Sequence, residues 1–219
     1  MKIFITGIGT DVGKTIASAI VAEALEADYW KPIQAGDLDN SDSQKVKNLL
    51  SCHTERATPS EVEGRSAKSQ FYSNAYALNT PASPHLAAQL DGITIDLKKI
   101  IEPKTDNHLV IEGAGGVLVP LNDTECVVDL IQKDYKVIVV SRHYLGSINH
   151  TLLTIEALQN RKIKVAGIIF SGDENKATEE IILKKTNIKF IGRIDNEPYF
   201  DANVIGYYAD KFRENLLNL

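Results

Sequence analysis

The residues from Gly7 to Thr15 have the types and spacing that bind a polyphosphate. They read GIGTDVGKT and lie between the short apolar stretch Lys2 to Thr6 and the helical-period run Ile16 to Leu25. A glycine loop between a strand and a helix holds phosphate oxygens through consecutive N–H groups and the positive end of the helix. Lys14 would add a charge near the β and γ phosphates, and Thr15 would offer an oxygen to Mg²⁺. The sequence therefore predicts a nucleotide-binding loop.

This loop differs from the common form in its spacing and in one charge. The common loop reads GxxxxGK[ST], but Ile8 stands at the place of the first glycine, and Gly7 lies one residue further back. Asp11 puts a carboxylate inside a loop that attracts anions, so we expect it to face a cation such as a substrate amine or the metal. The alternative is that Asp11 turns outward or caps a backbone N–H, as Asp often does in loops.

Length, composition and charge limit the classes of function. The chain has 219 residues, 43% of them hydrophobic and 24% charged, which fits one α/β domain over residues 1–219. The net charge of -5 and the absence of a Lys/Arg run argue against nucleic acid or a membrane as partner. With no leader and no long apolar run, we expect a soluble, cytoplasmic protein. Cys52 and Cys126 lack metal-binding spacing and read as reduced thiols.

Apolar runs and helical periods alternate along the chain. The runs that predict buried strands are Ile3 to Thr6, Tyr29 to Ile33, Leu109 to Glu112, Val137 to Ser141, Val165 to Phe170 and Phe190 to Ile194. The segments that predict helices include Ile16 to Leu25, Val127 to Gln132, Ile148 to Leu158 and Ala177 to Lys184. This alternation predicts a single-domain α/β fold with a mostly parallel sheet and helices on both faces. Ligands of such sheets bind at the carboxyl ends of the strands.

Two polar side chains occur where predicted strands end. Lys31 interrupts the apolar run Tyr29 to Gly36, and a lysine is rarely buried in a strand without a partner. We expect Lys31 to meet phosphate or a developing oxyanion, the alternative being a lysine that extends to solvent. Glu112 ends the third strand before a glycine turn, where a carboxylate could bind Mg²⁺, although structural acids end strands too.

Three further segments carry polar residues at predicted helix starts. Asp42 precedes Ser43 to Leu50 and could do no more than cap that helix. Ser83 has the type of a helix cap, with Pro84 in the first turn. The segment Gly146 to His150 opens a long helix whose amino end would suit a carboxylate.

Taken in order, these segments resemble the dethiobiotin synthetases over nearly the whole chain. The resemblance rests on the glycine loop, Lys31-Pro32, Asn40 to Asp42, Ser83 to His85, Glu112 to Gly116 and Gly146 to His150. The family consists of homodimeric enzymes of biotin synthesis with a P-loop NTPase-like fold. They close a cyclic urea on 7,8-diaminononanoate with CO₂, ATP and Mg²⁺, through a carbamate and a carbamic-phosphoric anhydride.

The resemblance also implies a role for individual residues. It implies catalytic roles for Lys14, Lys31, Thr10 and Asp11. It implies magnesium ligation by Thr15, Asp42 and Glu112. The implied nucleotide contacts are Gly9, Thr10, Asp11, Val12, Gly13, Lys14, Thr15, Ile16, Glu112, Gly113, Ala114, Gly115 and Gly116. The implied substrate contacts are Asp11, Lys31, Ala35, Ser83, Gly146, Ser147, Ile148 and Asn149, the last four receiving the substrate carboxylate across the dimer interface.

The sequence departs from the family at three places, and it leaves other functions open. One is Gly192 to Asp195, which lacks the Pro that many members carry after the Ile. Ala35 stands where many members have Ser or Thr, and Ser171 stands where many have an Asn that recognises adenine. A related amide-forming ligase would share the fold but usually carries a glutaminase domain. A partition-type or metallochaperone nucleotide switch is the other alternative, and such proteins often have a second lysine early in the loop, where this chain has Ile8 to Asp11.

Overall fold

A computed structural model describes residues 1–51 and 69–219, so Cys52 lies outside the described residues. The strands are β1 (Lys2–Gly7), β2 (Asp28–Trp30), β3 (Ile33–Ala35), β4 (Phe71–Tyr72), β5 (Tyr76–Leu78), β6 (Leu109–Gly116), β7 (Tyr135–Arg142), β8 (Val165–Ser171) and β9 (Phe190–Ile194). The helices are α1 (Lys14–Leu25), α2 (Asp42–Ser51), α3 (Pro84–Leu90), α4 (Ser147–Asn160), α5 (Lys176–Thr186) and α6 (Ala202–Leu217). Within this described part, no helix has the length and apolar character needed to cross a membrane.

Seven of these strands form one parallel sheet. Their order is β4-β2-β6-β1-β7-β8-β9, and β3 pairs with β5 in a separate small parallel sheet. The strand β1 lies between β6 and β7, with Ile5 opposite Glu112 on one side and Ile138 on the other. The carboxyl ends of β1, β6 and β7 therefore meet at one edge, where ligands of such sheets bind.

Helices cover both faces of the sheet, as the sequence predicted. Side chains alternate across a strand, so Ile3 and Ile5 of β1 face one way and Phe4 faces the other. Ile3 and Ile5 belong to a buried cluster that includes residues of α1 and α6. Phe4 belongs to a second buried cluster with residues of α3 and α4. Buried side chains on both faces fix the sheet and thus the loops at its edge.

The predicted strand Tyr29 to Ile33 is wrong as a single element. The strand β2 ends at Trp30, and β3 begins at Ile33 in the other sheet. Pro32 explains the break because it has no N–H to donate to a strand ladder. The chain is held there by Asn74, whose side chain donates to the Lys31 carbonyl at 2.7 Å. Lys31 consequently lies in a connection between two sheets.

Two other elements differ from the sequence-based expectation. The predicted helix Val127 to Gln132 is wrong in type, because only a short 3₁₀ turn, Val127–Leu130, forms there. Val127 and Val128 are buried in that turn, and the segment is too short for several α-helical turns. The helix α6 was not predicted, although its buried residues Ala202, Ile205, Ala209, Phe212 and Leu216 have helical spacing.

Candidate active site

The phosphate loop connects β1 directly to the amino end of α1. Gly13 precedes the helix with φ 92°, a left-handed conformation that glycine adopts without strain. Among the described residues, no side chain caps the first turn of α1. The first N–H groups of this helix are therefore available to a ligand, and the helix dipole favours an anion there.

Lys14 is buried behind this loop. The residue is only 7% exposed, and its Nζ donates a hydrogen bond to the Gly9 carbonyl at 2.8 Å. Burial lowers the pKa of Lys14 to about 8; the charge of Lys31 acts in the same direction, and the charge of Glu112 opposes it. A bound polyphosphate would restore the ordinary preference for the charged form, because opposite charges favour ionisation.

Lys31 lies between two carboxylates. Its Nζ donates to Glu112 Oε1 at 2.9 Å and also to Asp42 Oδ2. Thr15 Oγ1 donates to the same Glu112 oxygen at 3.1 Å. Of the three residues implied as magnesium ligands, Asp42 and Glu112 contact Lys31 directly, and Thr15 contacts Glu112. Because Lys31 is only 4% exposed, the alternative of a lysine extending to solvent is wrong.

The ion pairs explain how these buried groups keep their charges. Burial alone would lower the pKa of Lys31, but the charges of Glu112 and Asp42 outweigh it, and the pKa is raised. Burial alone would raise the pKa of Asp42, but the charge of Lys31 and its hydrogen bond outweigh it, and the pKa is lowered. The ionised forms of both residues are thus favoured.

Local structure places Asp42 at this point. Ser41 N donates to Gln44 Oε1 at 3.0 Å, and Gln44 N donates to Ser41 Oγ at 3.3 Å, which together form a capping box. Gln34 links the helix start to β3, because its Oε1 accepts from Asp42 N and its Nε2 donates to the Gly36 carbonyl at 3.0 Å. Ser41 is the cap of α2, so the first-turn carboxylate of Asp42 is available to Lys31.

Tyr29 is a site residue that the sequence analysis missed. Its buried hydroxyl donates a hydrogen bond to Glu112 Oε2 at 2.8 Å. Thr15 and Lys31 contact the other oxygen of the same carboxylate, Oε1. Burial raises the pKa of Tyr29 well above its usual value, and the adjacent Glu112 charge acts in the same direction. The hydroxyl is therefore a fixed donor that orients the carboxylate.

These groups open into a cleft of about 1130 Å³. Residues named from the sequence that line it are Thr10, Asp11, Gly13, Lys14, Thr15, Ile16, Lys31, Ala35, Asp42, Ser83, Glu112, Ala114 and Gly115. Other residues that line the cleft were not predicted from the sequence, and they include Gln34, Arg142, Asn196, Glu197 and Phe200. The side chain of Val12 instead lies in the core beneath the loop. Ser83 occupies the cap position of α3, but its side chain makes no capping hydrogen bond.

The segment Gly146 to Asn149 lies apart from this cleft. It lines a separate open cavity of about 850 Å³ at the start of α4. Asn196 lines both cavities. Within one chain, therefore, the structure does not place this segment beside Lys31 and Glu112.

The oxygen donors suit a hard divalent cation that is shared with a ligand. In the described chain, no group of three or more His, Cys, Asp or Glu side chains could hold a metal. Mg²⁺ is commonly held by one or two carboxylates together with substrate phosphates, and it prefers oxygen ligands. Asp42, Glu112 and the Thr15 hydroxyl form such a partial set at the phosphate loop, so the residues present fit the ion.

Comparison with known proteins identifies the family. A family model described as an AAA domain matches residues 1–204. The ATP-dependent dethiobiotin synthetase BioD of Christiangramia forsetii is 59% identical over 216 residues, which cover 99% of this chain and 98% of that protein. The chain belongs to the ATP-dependent dethiobiotin synthetase family. The synthetase of Cytophaga hutchinsonii is 49% identical over 216 residues, 98% of each chain.

The synthetase family assignment agrees with the fold. The MinC:MinD cell division complex of Aquifex aeolicus matches with a TM-score of 0.57 at 17% identity, over 100% of this chain and 96% of that chain. A ParA family ATPase from Chlorobium tepidum matches with a TM-score of 0.56 at 11% identity, over 99% of both chains. At such identities these structures show a P-loop NTPase-like fold alone. Family membership confirms the expected enzyme class, a ligase that forms a carbon–nitrogen bond.

Proposed function

We propose that the chain closes the ureido ring of dethiobiotin from 7,8-diaminononanoate and CO₂, with ATP and Mg²⁺. The observation that carries this proposal is the convergence of Thr15, Lys31, Asp42 and Glu112 beside the phosphate loop, in one cleft. This constellation suits the transfer of a phosphoryl group. The names of the relatives supply the reaction in which that transfer would serve.

The reaction needs activation of a poor electrophile. One substrate amine adds to CO₂ and loses a proton, giving a carbamate. A carbamate oxygen then takes the γ-phosphoryl group of ATP, and ADP leaves. The second amine attacks the carbonyl carbon of the carbamic-phosphoric anhydride, loses a proton and expels phosphate as the five-membered ring closes. Each step is assisted by positioning and by neutralisation of negative charge, so no covalent enzyme intermediate is required.

The charged residues divide this work according to where they lie. Lys14 and the loop N–H groups would hold the phosphates, and Lys31 would stabilise the oxygens of the transferred group. Thr15, Asp42 and Glu112 would hold Mg²⁺, which when bound neutralises phosphate charge. Since Lys31 contacts both carboxylates, a bound metal ion would compete with its ammonium for them. The competition would release Lys31 toward the phosphoryl group.

The implied substrate contacts remain predictions of the same proposal. Thr10 and Asp11 lie at the mouth of the loop, where a carboxylate could receive the diamine. The backbone N–H of Ala35 and the residue Ser83 would contact the reacting oxygens from the opposite wall. The nucleotide would also lie against the glycine turn that ends β6, from Gly113 to Gly116.

The substrate carboxylate would bind at the start of α4 in a homodimer. The helix start Gly146 to Asn149 carries N–H groups suited to an anion. Beside it, Leu145 is 103% exposed and Leu153 is 54% exposed. Exposed apolar residues around a helix end are typical of an interaction surface. They support a dimer in which this segment completes the cleft of the partner subunit.

The proposal also includes the domain organisation of the chain and its location in the cell. We expect residues 1–219 to act as one domain, because α6 packs against α1 in a shared core cluster. We expect the reaction to take place in the cytoplasm, where ATP and the biosynthetic intermediates are made.

The decisive assay measures phosphate release from ATP with and without 7,8-diaminononanoate and bicarbonate, together with mass detection of the ureido product. Phosphate release that depends on the diamine and matches product formation supports the synthetase. Release that is independent of the diamine would instead favour a nucleotide switch.

Two variants test the assigned roles. Lys14→Ala should lose essentially all turnover, because the buried charge at the phosphates is removed. Glu112→Gln should weaken the magnesium dependence most, since it replaces a carboxylate ligand by an amide of the same shape. Lys184→Met serves as the control, because Lys184 is an exposed lysine of α5 that does not line the cleft. Full activity in either test variant would remove that residue from its role.

A further inference from the structure

Arg142 lies at the carboxyl end of β7, next to the phosphate loop. It is exposed and lines the cleft, and its Nη1 donates to the carbonyl oxygen of Asp11 at 3.1 Å. No carboxylate of residues 1–51 and 69–219 forms an ion pair with its guanidinium. The hydrogen bond to the loop is therefore the contact that defines where this side chain lies.

The backbone at Asp11 has a conformation that needs support. Its φ is 54°, in the left-handed region that L residues other than glycine seldom adopt. Such residues persist when the surrounding structure holds them, and they cluster at ligand sites. The contact from Arg142 is made to the carbonyl of this same residue. It thus acts directly on the strained peptide.

The geometry of a peptide links this carbonyl to a phosphate-binding group. In a planar trans peptide the C=O and the next N–H point in opposite directions. Holding the Asp11 carbonyl therefore also fixes the direction of the Val12 N–H. Gly13 follows with φ 92°. Successive N–H groups in such turns form the concave sites that bind anions.

We propose that Arg142 is a positioning residue for the phosphate loop. It holds the Asp11–Val12 peptide in the orientation that binds the polyphosphate of the nucleotide, before the nucleotide arrives. This inference rests on the proposed function only in requiring that the loop bind ATP. Its effect is made through a backbone contact, whereas Lys14 and Lys31 would act on the phosphates directly.

The first test measures binding of a non-hydrolysable ATP analogue to the full chain by calorimetry. Arg142→Met removes the donor, and we expect roughly tenfold weaker binding, since hydrogen bonds from charged donors are among the stronger ones. Arg142→Lys retains a donor and should stay within about threefold of the wild type. In steady-state kinetics over a range of ATP concentrations, Arg142→Met should raise the KM for ATP and leave kcat within about twofold of the wild type.

The second test separates positioning from simple charge attraction. Attraction between an exposed charge and phosphate is screened as salt rises. We expect the ratio of the two dissociation constants, Arg142→Met over wild type, to persist between low and high salt. Hydrogen exchange at the Val12 and Gly13 amides of the free protein should be faster in Arg142→Met, with β7 and α1 unchanged.

The possible outcomes distinguish a failure of the positioning role of Arg142 from a failure of the proposed function. A ratio that collapses toward one in high salt, unchanged exchange in the loop, or wild-type affinity in Arg142→Met would overturn the positioning role. If the wild type itself failed to bind the analogue, the proposed function would fail instead. Thermal unfolding of all three proteins controls for misfolding, and the exposed location of Arg142 predicts little change there.

Discussion

Replacing Lys31 by Met would test whether this buried ammonium stabilises the free enzyme. Met has a similar shape, so the change removes the charge and little volume. It leaves Glu112, whose side chain is 0% exposed, and Asp42, at 23%, without their shared partner. Glu112 retains the hydrogen bonds from Thr15 and Tyr29. The perturbation therefore isolates the ion pairs from the other contacts of the site.

The expected decrease in the free energy of unfolding follows from the burial of the ion pair and from the distance between its charges. Unit charges 2.9 Å apart attract by roughly 6 kcal/mol at an effective dielectric constant of about 20. Desolvation of the lysine offsets part of this, and removing one member of a buried pair typically costs about 3–5 kcal/mol. We expect the lower end, about 3 kcal/mol, because two donors still bind Glu112. For a chain of this size that lowers Tm by roughly 6–12 °C.

The loss should depend on pH in a defined direction. Because Lys31 lowers the pKa of Asp42 below its ordinary 3.8, this contribution is fully present above that value. It is lost as pH falls through the depressed pKa of the folded state. The raised pKa of Lys31 makes its contribution fully present below 10.5 and lost only above. The difference between wild type and Lys31→Met should thus be constant near neutrality and shrink in acid.

Urea unfolding at neutral pH, followed by thermal melts across the acid range, measures both effects. Lys45→Met is the matched control, since it removes a partly exposed lysine from the same Asp42 and should change stability by less than about 0.5 kcal/mol. A Lys31→Met protein within about 1 kcal/mol of the wild type at neutral pH would refute the reasoning. So would a difference that grew in acid.

Two further predictions concern single protons and hydroxyls of the site. Tyr29→Phe should weaken metal binding by roughly tenfold, because Glu112 loses an orienting hydrogen bond. The measurement uses Mn²⁺ as a spectroscopic substitute for Mg²⁺ in the presence of an ATP analogue. Unchanged affinity would show that the Tyr29 hydroxyl has only a packing role. Binding of the ATP analogue at about pH 8.5 should be accompanied by uptake of about half a proton or more, because burial lowers the pKa of Lys14 to about 8 and bound phosphate raises it again. Calorimetry in buffers of different ionisation enthalpy measures this proton uptake. The Lys14→Met variant should show none.

The parts of the fold that were predictable are those with local signals. Apolar runs gave the central strands within one or two residues of their observed ends, except that β6 continues through the glycine turn to Gly116. The short strands β4 and β5 were missed because their pairing, not their composition, defines them. The break at Pro32 could have been predicted, since proline cannot complete a strand ladder. The helix α6 also had a readable apolar period.

The site shows a similar division. The phosphate loop is one continuous segment, so its spacing identifies it. The contact of Lys31 with Glu112 joins residues 81 apart in sequence, and that of Tyr29 with Glu112 joins residues 83 apart. Both contacts depend on β2 lying beside β6, and no local pattern specifies that adjacency. Arg142 could have been predicted as a site residue, since it ends a strand at the edge of the sheet where ligands bind.

These contacts between residues far apart in sequence also give a reason for a lysine between the two carboxylates that we propose as metal ligands. Asp42 and Glu112 reach the same ammonium, and carboxylates so close together would favour protonation of one of them if no cation were present. A protonated carboxyl group is a poor ligand for a hard cation. By pairing with both groups in the free enzyme, Lys31 would leave them ready to exchange its ammonium for a divalent ion when nucleotide binds. The same exchange would free Lys31 for the phosphoryl group, so one side chain would serve the free enzyme and the reacting complex in turn.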